Sequence, residues 1–270
     1  MFKTRLISGI VMISIAYFAV RQSGAILILI LLLLSVAGMI ELHKIDKKNI
    51  DSIITIELIT ALTYYVILYI NGFSILLQIP VIIGFLAICF VFVIKYPKIE
   101  LKEITLGIVG IIYLPIMLSY IYVLRGLENG FICVWLIFLG SWGADTCAYC
   151  VGMLIGKKKL APVLSPKKSV EGAVGGIIGS VILSLIYAVI FNKLGYLDSK
   201  YIYIYPIVAF FASIVSIYGD LFASGIKRKY NIKDYGKLIP GHGGVLDRFD
   251  SVIFVAPIVY YALILLNILF

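Results

Sequence analysis

The run Ala25-Ile-Leu-Ile-Leu-Ile-Leu-Leu-Leu-Leu-Ser-Val-Ala-Gly-Met-Ile40 contains no charged residue, and runs of this kind recur along the whole chain. The longest of them each reach roughly the 20 residues that an α-helix needs to cross about 30 Å of hydrocarbon. Of the 270 residues, 62% are hydrophobic and 14% are charged, whereas a soluble domain carries about 25% charged residues. An outer-membrane barrel is excluded, because barrels are written as alternating segments of about 10 residues and not as continuous Ile/Leu/Val runs. The sequence therefore reads as an all-α, polytopic transmembrane helical bundle.

We read about nine spans, near residues 5–20, 24–42, 53–70, 73–94, 104–124, 131–155, 171–191, 201–223 and 251–269. Lys3 and Arg5 ahead of the first run resemble a signal peptide, but no small-residue cleavage site follows. Arg21-Gln22-Ser23-Gly24 instead turns the chain into the second run as a retained hairpin. With the N-terminus inside, all of the 23 basic residues except Arg21, Arg125, Lys193 and Lys200 fall on one face. Basic residues stay cytoplasmic, so that face is the cytosolic one, and a multi-pass cytoplasmic (inner) membrane protein is expected. Residues 1–130 form the N-terminal transmembrane helices. Residues 131–270 form the C-terminal helices with the long cytosolic loops, all within one integral membrane unit. The net charge of +9 is thus an inward-facing, lipid-facing surface and not a nucleic-acid footprint. The loops Lys44–Lys48 and Lys95–Lys102 need no further explanation.

The four cysteines, Cys89, Cys133, Cys147 and Cys150, all lie inside apolar runs. Cys147 and Cys150 form a CxxC with no second pair, and the only histidines, His43 and His242, are distant in sequence. Packing residues are the expectation there. Ala144, Ala148, Gly152 and Gly156 recur every four residues, and Gly172/Gly176 and Gly175/Gly179 form overlapping GxxxG pairs. Small residues at that spacing let helix backbones approach. The sixth and seventh spans are expected to lie together, joined by a loop from Lys157 to Lys168.

Asp145 sits in the middle of an apolar run, where a carboxylate costs at least roughly 2.5 kcal/mol and calls for a partner. Tyr149, one turn on, shares its face; a functional role and a structural ion pair are both open. Glu57 stands among Ile and Leu with no polar companion on its face beyond Thr60. Asp220, Ser224, Lys227 and Arg228 fall at i, i+4 and i+7/i+8, which aligns a carboxylate, a hydroxyl and two cations along one helix face. Such a face suits a phosphate bridged by magnesium, which takes one or two carboxylates plus phosphate oxygens.

The segment Lys233-Asp-Tyr-Gly-Lys-Leu-Ile-Pro-Gly-His-Gly-Gly-Val-Leu-Asp-Arg-Phe-Asp-Ser251 follows. Glycines around His242 allow close backbone approach and present N–H groups to an anion. Asp247 and Asp250 come three apart at the start of the last span, beside Arg248, where a helix N-terminus favours phosphate. Asp250 and Ser251 are also read as caps of that helix.

These residues resemble the defining motif of the phosphatidate cytidylyltransferases, or CDP-diacylglycerol synthases: Ser224-Gly-Ile-Lys-Arg228, Lys233-Asp234 and Pro240-Gly-His-Gly-Gly-Val-Leu-Asp-Arg-Phe-Asp250. Asp145-Thr-Cys-Ala-Tyr149 with Gly152, Gly156 and Lys157, and Ser165-Pro-Lys-Lys-Ser-Val-Glu-Gly172, agree with the same family. The motifs span about residues 142–251; the N-terminal hairpins agree only in hydropathy. Departures are Ser169 and Val170 in place of Thr and an aromatic, Ala223 in place of an acid, and Met153 in place of Arg.

The resemblance implies Mg2+-dependent transfer of a cytidylyl group from CTP to phosphatidic acid by direct displacement, giving CDP-diacylglycerol and pyrophosphate, and it leaves room for a second cation and a homodimer. It implies Asp220 and Asp247 as metal ligands with Asp145 as a third carboxylate. Lys227, Arg228, Lys233 and Arg248 are then expected on triphosphate or lipid phosphate, and Lys167 and Lys168 over the nucleotide. Ser165, Ser224, Asp234, Gly243, Gly244 and Asp250 complete the substrate contacts. His242 either orients a phosphate or stabilises leaving pyrophosphate. A transporter, a CTP-dependent lipid kinase and an archaeal-type ether-lipid cytidylyltransferase are the rival readings.

Overall fold

Backbone N–H and C=O groups in hydrocarbon have to find partners within their own segment, which makes the helix the spanning form for runs such as residues 25–40. A computed structural model describes residues 2–45, 51–241 and 243–269. In chain order its helices are α1 (Phe2–Gln22), α2 (Gly24–Lys44), α3 (Asp51–Asn71), α4 (Ile75–Lys95), α5 (Leu101–Arg125), α6 (Gly130–Ile155), α7 (Val170–Lys193), α8 (Tyr201–Lys229) and α9 (Leu246–Leu269). Among the described residues, 8 helices, α2 to α9, are long and apolar enough to cross a membrane; the apolar part of α1, Ile7–Gln22, is shorter. The all-α membrane reading is borne out. Helix α8 runs on to Lys229, past the expected end near residue 223, so Ser224, Lys227 and Arg228 are helical.

The chain divides into two compact units. The first comprises Met1–Val123 and Ile232–Arg248, the second Leu124–Asn231 and Phe249–Phe270. In the first, α3, α4 and α5 share a core of Ile53, Ile88, Ile104 and Ile111, closed by Ile99 from the α4–α5 connection. Close approach of α3 and α4 depends on Gly84, where a Cβ would lie 3.0 Å from Thr60 Cγ2. Helices α2 and α3 are joined by Ser35 Oγ and Tyr65 Oη at 3.0 Å. A π-helical turn, Ile112–Ile116, interrupts α5 at Pro115, which has no N–H to give to the helical ladder.

In the second unit the small-residue stripe does what its spacing foretold. A Cβ at Gly172 would lie 2.8 Å from Ala148 O, and one at Gly176 2.8 Å from Ala144 O, so α6 and α7 meet backbone to backbone. Cys147 packs against Gly179, where a Cβ would sit 2.5 Å from its Sγ. The connection between α6 and α7, expected as a loop, holds a short antiparallel hairpin of β1 (Lys159–Ala161) and β2 (Ser165–Ser169), with Lys159 paired to Ser169. Strands this short and lysine-rich carry no readable alternation. Glu171 accepts the N–H groups of Lys157 (3.0 Å) and Lys158 (3.1 Å), and Ser169 Oγ accepts that of Gly172 (3.1 Å), so both ends of the hairpin are tied to the start of α7. Helices α8 and α9 approach at Gly219, where a Cβ would meet the Asp250 carbonyl oxygen at 3.0 Å.

Candidate functional site

Each unit holds a polar cluster formed by residues of the sequence motifs. In the second unit, α6 supplies Asp145, β2 supplies Lys168 and α8 supplies Asp220. The Lys168 ammonium is ion-paired with Asp220 Oδ2 and lies 3.8 Å from Asp145 Oδ1. Asp145 therefore gains its compensating charge from the hairpin, whereas Tyr149, its neighbour in sequence reasoning, is 70% exposed. Just before Asp145, α6 contains a π-helical turn over Leu139–Gly143, a feature frequent at functional sites. Asp250 of α9 is buried, and its Oδ1 accepts the Ser251 N–H at 2.8 Å. The charge of Lys227 reaches Asp250, as does that of Asp220. Burial pushes the Lys168 ammonium down, but the carboxylates of Asp220, Asp145 and Asp250 outweigh it, and the group titrates above its ordinary value. It stays charged.

Arg228 Nε donates to Leu164 O at 3.3 Å and so tethers the hairpin to α8. Ser224 is buried, whereas Lys167 is exposed and Ser165 half-buried. Among the described residues no three Asp, Glu, His or Cys side chains converge as a ready-made metal cage. Two carboxylates, Asp145 and Asp220, converge on one cationic position, which is the number magnesium takes when phosphate oxygens and water complete its shell.

In the first unit, Tyr235 and the stretch Gly244–Leu246 are held by two carboxylates. Asp247, at the first turn of α9, accepts the N–H groups of Tyr235 (2.8 Å) and Gly244 (3.0 Å) on Oδ2. Glu41 of α2 accepts the N–H of Val245 on Oε1 (3.0 Å) and that of Leu246 on Oε2 (2.9 Å). The amides of Gly244, Val245 and Leu246 are therefore taken by the protein's own acids, which differs from the expectation of open anion donors at this loop and helix start. Gly243 has φ 88°, and a Cβ there would lie 2.9 Å from Asp247 Oδ2. Lys233 and Asp234 are exposed and Arg248 is half-buried. His242 lies outside the described residues.

The reading of Glu57 as isolated is corrected. His43 Nε2 sits 2.9 Å and 3.0 Å from its two carboxylate oxygens, and both residues are buried. Glu41 was not recognised in the sequence either. It stands near the end of an apolar span, and its partners are 204 and 205 positions away.

The cytidylyltransferase family model matches residues 3–266. The phosphatidate cytidylyltransferase of Staphylococcus epidermidis is 32% identical over 267 residues, covering 97% of this chain and 99% of that protein. That of Rickettsia typhi is 34% identical over 218 residues, covering 80% and 92%. That of Bacillus subtilis is 35% identical over 157 residues; the match spans 58% of this chain and 56% of the relative.

Proposed function

The chain belongs to the cytidylyltransferase family, and on that premise we propose that it transfers the cytidylyl group of CTP to phosphatidic acid, giving CDP-diacylglycerol and pyrophosphate. The observation that carries the reading is the convergence of Asp145 and Asp220 on Lys168, a charged cluster that also feels Asp250 of α9. Relatives that bear the name phosphatidate cytidylyltransferase and match 80% and 97% of the chain support the choice of substrates.

The chemistry asks little of covalent machinery. A lipid phosphate is ionised at neutral pH and is already a nucleophile, so the protein has to bring it in line with the α-phosphate and to offset the charge that develops there. Lys168, Lys227 and the exposed Lys167 of the second unit, and Arg248 and the exposed Lys233 of the first, are the cations proposed for that task. Arg228, whose Nε holds Leu164 O, keeps its other guanidinium nitrogens for phosphate. Asp145 and Asp220 in the second unit, and Asp247 by itself in the first, are the carboxylates proposed for Mg2+, which when bound would offset triphosphate charge and favour departure of pyrophosphate. The cationic residues concentrate on the side we assign to the cytosol, in an inner membrane, with the N-terminus on the same side.

Purified protein incubated with labelled CTP, Mg2+ and phosphatidic acid tests the reading. CDP-diacylglycerol is the expected lipid product; no lipid product with phosphatidic acid, under conditions where CTP binds, would overturn it.

A further inference from the structure

Glu41 belongs to none of the sequence motifs, yet the glycine-rich segment is built around it. We propose that Glu41 is a positioning residue that, acting from α2, fixes the Gly244–Leu246 stretch of the glycine-rich loop against Gly236 and so sets the direction in which Asp247 leaves the start of α9. The inference rests on the reading that this loop serves cytidylyl transfer.

Both carboxylate oxygens of Glu41 are engaged, one on each of the successive amides of Val245 and Leu246. Leu246 immediately precedes Asp247, so the clamp sets the backbone from which that carboxylate projects. The glycines agree. The three nearest atoms to a Cβ placed at Gly244 are Glu41 Oε2, Oε1 and Cδ, and those nearest to one at Gly236 are Glu41 Oε1, Cδ and Cγ. Neither glycine has a positive φ, so backbone conformation does not require them; room for Glu41 does. Glu41 is itself 6% exposed, and its helix is anchored two residues on. His43 meets Glu57 of α3 at 2.9 Å, and a Cβ at Gly110 of α5 would lie 2.8 Å from Glu57 Oε1. A continuous polar and glycine path thus runs from α5 through α3 and α2 to the loop, all within the first unit.

The clamp is tested on the purified full-length protein with Glu41→Gln, which keeps volume but turns an amide N–H2 toward one of the two backbone donors. Hydrogen exchange at the Val245 and Leu246 amides should quicken about tenfold, the factor for losing roughly 1.4 kcal/mol, while exchange in α3 stays as in the unmodified protein. Turnover should fall on the order of 100-fold, as expected for a catalytic group displaced by about 1 Å, with KM for CTP little changed. A general loss of stability would instead quicken exchange in α3 as well, and would overturn the proposal. The glycine pairing gives a second test. Gly244→Ala alone should reproduce the faster exchange, and adding Gly244→Ala to Glu41→Ala should quicken it no further. Equal effects of Gly244→Ala with and without Glu41 would sink the idea. Exchange needs no turnover, so it separates the two readings. Faster local exchange in a protein that makes no CDP-diacylglycerol refutes the function alone, and unchanged exchange with Glu41→Gln refutes the clamp alone.

Discussion

The ammonium of Lys168, carried on a two-stranded hairpin, is ion-paired with the carboxylate of Asp220 on α8. With Asp145 also at 3.8 Å from the same nitrogen, one lysine offsets two carboxylates that would otherwise repel each other.

Replacing Lys168 by Met should therefore do more than remove a substrate contact. The cluster becomes more anionic, which draws Mg2+ in and repels triphosphate. We expect kcat/KM to fall at least about tenfold, a barrier change of roughly 1.4 kcal/mol, with KM for CTP raised and the half-saturating Mg2+ concentration lowered. Steady-state rates at varied CTP and Mg2+ decide it, and a change below about twofold in all three would remove Lys168 from the site.

Asp247 carries both a structural and a charge role, and two substitutions separate them. Asp247→Asn retains an oxygen for the N–H groups of Tyr235 and Gly244 and loses only the charge; turnover below about a tenth of the starting rate is expected, with little shift in unfolding temperature. Asp247→Ala strips both buried donors of their acceptor, at about 1–3 kcal/mol each, and should lower the unfolding temperature as well. Asp247→Asn with more than a tenth of the activity would show that the charge is dispensable.

For His43 and Glu57, removal of one partner of a buried polar pair is expected to be strongly destabilising, by up to about 3–5 kcal/mol, whereas replacing both by apolar residues costs far less. Thermal unfolding in detergent should show Glu57→Leu and His43→Leu each well below the unmodified protein and the double variant above the sum of the two losses. Additive losses would mean that the pair is not coupled.

From the Lys/Arg asymmetry we propose that the segment around Lys237 is cytosolic and that around Ser199 lies on the other side. Both positions are exposed, so cysteines introduced there, in a background without Cys89, Cys133, Cys147 and Cys150, report topology directly. In intact cells an impermeant maleimide should label Ser199→Cys and spare Lys237→Cys; the reverse pattern inverts the orientation.

What the sequence made legible was local or periodic. Ala144, Ala148 and Gly152 opposite Gly172 and Gly176 foretold the α6–α7 contact because four-residue spacing is a property of one helix face. Asp145 announced that it needed a partner, since a carboxylate in an apolar run does. That the partner is Lys168 depends on a hairpin too short to show alternation. Glu41 and its loop, like His43 and Glu57, are pairings of residues on different elements, and no local spacing encodes them. The glycine at 244 was visible, but its occupant was not: it makes room for a protein carboxylate where a ligand anion was expected.

The central claim is the transfer of a cytidylyl group, and the fate of a single phosphorus tests it most directly. Purified protein is supplied with phosphatidic acid, Mg2+ and CTP carrying a radiolabel at either the α- or the γ-phosphate. Cytidylyl transfer places the α label in the lipid product and leaves the γ label in pyrophosphate. Recovery of the γ label in lipid, with CDP released, would identify a kinase and contradict the account.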